Sequence, residues 1–212
     1  DDPELVAFLS GQARRYGLPD PKDSGAAIRE NIERHLVRSV LADVQAARIR
    51  GNHGMHESAL AMAAVVLDDP GTRTHPGATR RILEFLFRSG GYDPASGRIT
   101  GCNVLGTLVD AVDRDGMGNE GSPSYNLLWA DGFLQIAEIL RGYDGVKGVD
   151  LYQNVKMKKL LTAQHSLPML GKYTPAIGDT GNVGGLGTIL RLDHYVKAFE
   201  IYREPELAQV AH

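Results

Sequence analysis

Apolar residues recur at spacings of three and four in stretch after stretch of this chain, the period of helices that bury one face. From Ala26 to Ile49 the residues Ile28, Ile32, Leu36, Val40, Val44 and Ala47 form one stripe and predict a single amphipathic helix. From Met55 to Leu67 the apolar positions run almost all the way round, which predicts an inner helix enclosed by others. The segment Gly77 to Gly91 is amphipathic again, with Gly90 and Gly91 placed to supply a left-handed C-cap. Between Gly97 and Gly116, β-branched residues lie between glycines, so a hairpin or long ordered loop is expected there rather than a helix. The helical period returns from Pro123 to Leu140 and from Leu151 to Leu161. A Gly- and Pro-rich loop, "LPMLGKYTPAIGDTGNVGGLG", and a last helix, "ILRLDHYVKAFEIY", complete the pattern. Serial helices with about one hairpin make the fold class mainly α, as a single helical domain over residues 1–212.

With 42% hydrophobic and 23% charged residues, the 212-residue chain has the composition of a globular protein with a substantial core. A net charge of −3 gives no overall field for nucleic acid or anionic membrane, so an anionic ligand would have to be held by local groups. Cys102 is alone, which excludes an intrachain disulfide, a zinc ribbon and a CxxC redox site. No apolar run approaches the roughly 18 residues of a membrane span. Both ends read as mid-protein sequence, and the expectation is a piece of a larger or processed protein.

Two segments concentrate polar chemistry. In "GNHGMHESAL", Gly51 to Leu60, two imidazoles, a carboxamide and a carboxylate crowd the mouth of the Met55–Leu67 helix. Asparagine is among the best N-cap residues, so capping is one reading of Asn52. His53 and His56 stand at i and i+3, but spacing places no third ligand beside them, and no metal is expected. In "DGMGNEGSPSYNLLW", Asp115 to Trp129, Ser122 before Pro123 marks a helix start: the hydroxyl can cap and proline is pre-set for the first position. Tyr125 then falls in the first turn, where the helix dipole favours a phenolate by only ~0.3–1 kcal/mol, too little to make a base without nearby cations. Trp129, four residues on, shares that face and offers an indole either to a sugar ring or to the core.

"GNHGMHESAL" followed by "DGMGNEGSPSYN" resembles the α-helical toroid domain of the heparinase II/III-like polysaccharide lyases, a family that includes alginate and oligoalginate lyases. The resemblance runs from Ile28 to Gly181 and is concentrated in those two motifs. It implies an incomplete (α/α) toroid that precedes β-sandwich domains, with the substrate in the cleft between them. The implied reaction is β-elimination, in which the C5 proton of a uronic acid is removed and the 4-linked sugar departs. On this resemblance Asn52 hydrogen-bonds the uronate carboxylate and offsets its charge, and His53 is the base or assists it. Tyr125 protonates the leaving oxygen, or acts as both base and acid in a syn elimination. His56, Glu120 and Trp129, beside these residues in the two motifs, are the candidate substrate-binding residues. The implied partner is an anionic poly- or oligosaccharide in the bacterial periplasm or outside the cell, with no cofactor.

The chain departs from the family in two ways. A glutamate that some relatives carry three residues after the histidine is here His56, with Glu57 beside it, and the stretch between His53 and Tyr125 is long. The family's further catalytic groups, another histidine and often a tyrosine, come from downstream of the toroid, so the chain is expected to carry half a site. The glycine-rich "GDTGNVGGLG" lacks the GK[ST] ending and a preceding strand, and so reads as a loop rather than a phosphate cradle. The resemblance places "PAIGDTG", Pro175 to Gly181, near the cleft entrance, which gives Asp179 a claim to a site role. "KMKK", Lys156 to Lys159, reads as a solvated helix face or a guide for an anionic chain. No pair of acidic residues supports a hydrolase. The alternative to a lyase is a non-catalytic helical module that binds glycans or supports other domains.

Overall fold

The structure is a computed structural model that describes residues 2–118, 120–144, 150–180, 184–185, 187 and 189–211. Helix accounts for 58% of it and the sheet among the described residues is one two-stranded hairpin, so the chain is mainly α. Helix α1, Pro3–Arg15, starts at Asp2, whose carboxylate accepts the Glu4 and Leu5 amides.

The stripe from Ile28 to Ala47 does not make one helix. Helix α2, Gly25–Ile32, passes into a π-helical stretch, Glu33–Val37, and a turn separates that from α3, Val40–Gln45. The Asp20 carboxylate gathers Asn31, Arg34 and His35 from across this junction. Beyond it the Ser39 hydroxyl donates back to the His35 and Leu36 carbonyls, competing with the regular ladder. The stripe splits accordingly: Val40 and Val44 enter the core, while Ile32 and Leu36 stay exposed.

Helix α4, Met55–Leu67, occupies the span its pattern predicts, but it is not enclosed. Leu60, Ala61, Ala63 and Ala64 are buried, whereas Met62 and Val66 are 55% and 64% exposed. The buried side is built from small residues because α4 packs against two helices, α5 (Ala78–Phe87) and α7 (Pro123–Leu140). At the α4–α7 crossing the backbones touch: a Cβ on Gly132 would lie 2.6 Å from Gly54 Cα. The α4–α5 link is fastened by Thr79, whose hydroxyl donates to the Ala64 carbonyl (2.6 Å) and accepts the Asp69 amide (2.9 Å).

Helix α5 leaves through Arg88 in extended conformation, so Gly90 and Gly91 are not the left-handed C-cap expected of them. Gly90 instead permits close approach, since a Cβ there would sit 2.5 Å from the Gly101 nitrogen. The hairpin, β1 (Tyr92–Asp93) with β2 (Arg98–Ile99), comes earlier than predicted. The middle of the expected hairpin region is instead helix α6, Val104–Asp110. Its β-branched residues disfavour helix by only a few tenths of a kcal/mol, at most ~0.7, each, and burial of Val104 and Leu108 one turn apart outweighs that.

Helix α7 buries Trp129, Ala130, Phe133, Ile136 and Ala137 along its length. Proline opens it as predicted, but the Ser122 hydroxyl lies 3.1 Å from that of Ser124 rather than capping. After a 3₁₀ turn at Leu151–Gln153 come α8 (Val155–Thr162), α9 (Leu192–Tyr202) and α10 (Pro205–Ala211). The lysines of "KMKK" are engaged, not a free cationic face. Lys156 and Lys159 donate to the carbonyls of Val112, Asp113 and Arg114, and Lys158 pairs with Glu204. Within the glycine-rich loop, Gly181, Asn182, Val183 and Leu186 lie outside the described residues, as does Asn119 of the second polar motif. No helix among the described residues is long and apolar enough to cross a membrane.

Candidate functional site at the mouth of α4

The chain enters α4 through a tight turn in which the Asn52 carbonyl accepts the Met55 amide at 3.1 Å. Gly54, with φ of 95°, is the N-cap residue, and its amide donates to Glu57 Oε2 at 2.9 Å. Asn52 is therefore not the cap of this helix. The first turn is closed from within by the carboxylate at its third position, the carboxyl half of a capping box.

Glu57 is only 3% exposed, and burial pushes its carboxyl up to about 7 against the lowering effect of the backbone amides it accepts. Its other oxygen lies 3.2 Å from His56 Nε2. The His56 side chain is 12% exposed, and its Nδ1 is buried without a hydrogen-bond partner among the described residues. Burial first, then the neighbouring His53 and Arg50, holds the His56 imidazole below the usual histidine range. His53 is lowered too, by burial, with the Glu120 carboxylate pulling the other way. Both rings are biased toward the neutral form that can accept a proton.

His53 both packs on the core and lines a pocket. The ring meets Trp129 edge to face, centroids 4.6 Å apart and planes at 70°. Trp129 itself is 2% exposed, so its face is covered by protein and is not a platform for a sugar ring. It belongs to the core and positions His53.

His53, His56 and Glu57 line a pocket of about 210 Å³ together with Arg50, Tyr92 and Cys102. The Arg50 guanidinium sits 4.2 Å over the Tyr92 ring. Neither Asn52 nor Tyr125 is among the walls of this pocket. Tyr125 is 38% exposed in the first turn of α7, one turn before Trp129 on the same helical face, hence about 6 Å along the axis from the residue against which the His53 ring packs. The 3₁₀ turn Gly178–Thr180, with exposed Asp179, approaches the start of α7, where a Cβ on Gly178 would lie 2.9 Å from the Gly121 carbonyl oxygen. The structure thus joins His53 to His56 and Glu57, puts Glu120 within electrostatic reach of His53, and leaves Asn52 and Tyr125 outside that pocket. Arg50, Tyr92 and Cys102 were not legible as site residues, because no periodicity relates a helix mouth to a hairpin and the link after it.

Glu57 gives a pH signature. Its carboxyl moves from an ordinary 4.5 to about 7, so between those values the folded protein holds a proton that the unfolded chain has released. This contribution is full below pH 4.5 and is lost as pH rises through 7, roughly 3 kcal/mol in all. His53 and His56, depressed in the folded state, act in the opposite sense near their own titration. Comparison with Glu57→Gln isolates the carboxylate. In chelator-treated buffer, melting midpoints from pH 5 to 8 should show the variant gaining on the wild type as pH rises. Parallel curves would contradict the raised titration of this buried carboxyl.

Comparisons with protein-family models, with curated proteins and with solved structures found no match to this chain.

Proposed function

We propose that the chain is the helical, toroid-type domain of a polysaccharide lyase that cleaves a uronic-acid glycan by β-elimination, outside the cytoplasm and with a β-sandwich domain completing the cleft. The observation that carries the reading is the state of His53. Its imidazole is braced on buried Trp129, biased to the neutral form, and open to a pocket that also holds the Arg50 cation. A neutral imidazole accepts the C5 proton, electrons move from the C5–H bond into the C4–C5 bond, and the C4–O bond breaks. The leaving oxygen takes a proton from Tyr125, whose exposed position at the start of α7 leaves it accessible to substrate. Arg50 and the Asn52 carboxamide offset the uronate carboxylate as charge builds at C5. His56 and Glu120 act on His53 and on bound sugar, and Trp129 supports the base from behind.

A second reading, a non-catalytic glycan-binding module, is favoured by one observation: Tyr125 and Asn52 do not share the walls of the His53 pocket. The two readings separate in one assay. The 212-residue chain, and the longest product of its gene, are incubated with a panel of uronate polysaccharides while the ultraviolet absorbance of the unsaturated product is followed. A rise with either protein supports the lyase. Binding to the same polysaccharides with no rise from either supports the module.

A further inference from the structure

We propose that His56, Glu57 and Cys102 form a binding site for one Zn²⁺ ion whose fourth position opens into the pocket beside His53. The three residues come from two parts of the fold, the first turn of α4 and the link between β2 and α6, and their ligand atoms all lie within 4.8 Å of one another. Tetrahedral zinc holds nitrogen and oxygen ligands at about 2.0–2.1 Å, which sets such a pair about 3.3–3.4 Å apart. His56 Nε2 and Glu57 Oε1 are 3.2 Å apart, close to that spacing before any ion arrives. An imidazole, a thiolate and a carboxylate are a zinc donor set, and three protein ligands with a water or an anionic oxygen in fourth place is the open type of site.

The capping role of Glu57 uses only one of its oxygens. Glu57 is 3% exposed, with Oε2 accepting the Gly54 amide and Oε1 facing His56 Nε2 at 3.2 Å, so a buried carboxylate presents one oxygen to the shared space, an arrangement that a metal ion suits. The Gly54 amide already orients the Glu57 carboxylate from behind, as a supporting hydrogen bond does for a metal-bound carboxylate. Arg50 is the opposing charge in the pocket, and its guanidinium is drawn onto the Tyr92 ring. On binding, the ion replaces the Cys102 thiol proton and any proton on Glu57, which leave to solvent, and no redox change is involved. In a comparable cluster, Asp131, Asp193 and His194, the donor atoms are already engaged, because the Arg191 guanidinium contacts both carboxylates and His194 Nε2 lies 2.7 Å from Asp131.

The site does not depend on the lyase reading, and its test contains no glycan. The chelator-stripped chain is titrated with zinc chloride by calorimetry and with cobalt(II) chloride by absorption spectroscopy. One equivalent of Zn²⁺ per chain is expected, weakened at least tenfold in Cys102→Ser and in His56→Gln. The cobalt complex should show a thiolate-to-metal charge-transfer band in the wild type that Cys102→Ser lacks. Zinc should raise the melting midpoint of the wild type more than that of Cys102→Ser. Unchanged affinity in both variants, or a wild-type cobalt complex with no thiolate band, overturns the proposal. The wild-type band decides the matter even if a variant fails to fold. A protein that binds zinc and cleaves no glycan would sink the lyase and leave this site standing, and an active lyase without the band would do the reverse.

Discussion

Tyr125→Phe is expected to reduce eliminative turnover on the true substrate by at least ~10²-fold, within the 10²–10⁴ that a positioned acid or base contributes. The substitution removes one hydroxyl from a side chain that is 38% exposed, so little packing is lost and the melting midpoint should stay within about a degree or two of the wild type. The companion variant is Asn52→Ala. Because Gly54 and not Asn52 caps α4, removal of the carboxamide should leave stability nearly unchanged while kcat falls at least about tenfold, as expected when one donor to developing negative charge is lost. Both activities and both melting curves are measured on the protein that shows uronate cleavage. Wild-type turnover by Tyr125→Phe ends the proposed mechanism. A large fall in melting temperature for Asn52→Ala with kcat intact would instead give Asn52 a structural role.

Gly132→Ala is expected to destabilise the fold although it sits in the middle of a helix. Propensity alone predicts the opposite, a gain of up to ~1 kcal/mol for alanine over glycine in a helix interior. Geometry decides the sign: the new methyl would lie 2.6 Å from Gly54 Cα and 3.2 Å from the His53 carbonyl oxygen, both backbone atoms that cannot rotate away. Overpacking of this kind costs ~1–3 kcal/mol, and the helices must move apart to relieve it. A net loss of roughly 1–2 kcal/mol lowers the midpoint by about 2–8 °C for a chain of this size. The displaced element carries Asn52 to Glu57, so uronate cleavage and zinc affinity should fall with it. A rise in midpoint for Gly132→Ala would disprove the backbone contact between α4 and α7.

The mainly α class was legible because helix formation follows from a local repeat of apolar residues, and α4 and α7 begin and end where that repeat and Pro123 place them. The crowding of polar groups at Asn52 to Glu57 was legible for the same reason, as an interruption at the entrance to an apolar run. Where the local signal competed with a long-range contact, the contact won. The Ile28–Ala47 stripe breaks at the residues gathered by Asp20, which lies outside it in sequence, and the glycine-flanked β-branched stretch becomes α6 because Val104 and Leu108 find the core. Trp129 shows the limit from another side, since four-residue spacing puts it on the face of Tyr125 but says nothing about what covers that face. The proximity of Glu57 and His56 to Cys102, and the burial that raises the Glu57 carboxyl, follow from the packing of α4 against the link after the hairpin. A chain order specifies which groups are neighbours along a helix; which groups share a low-dielectric pocket depends on how the helices cross, and only the tertiary structure carries that information.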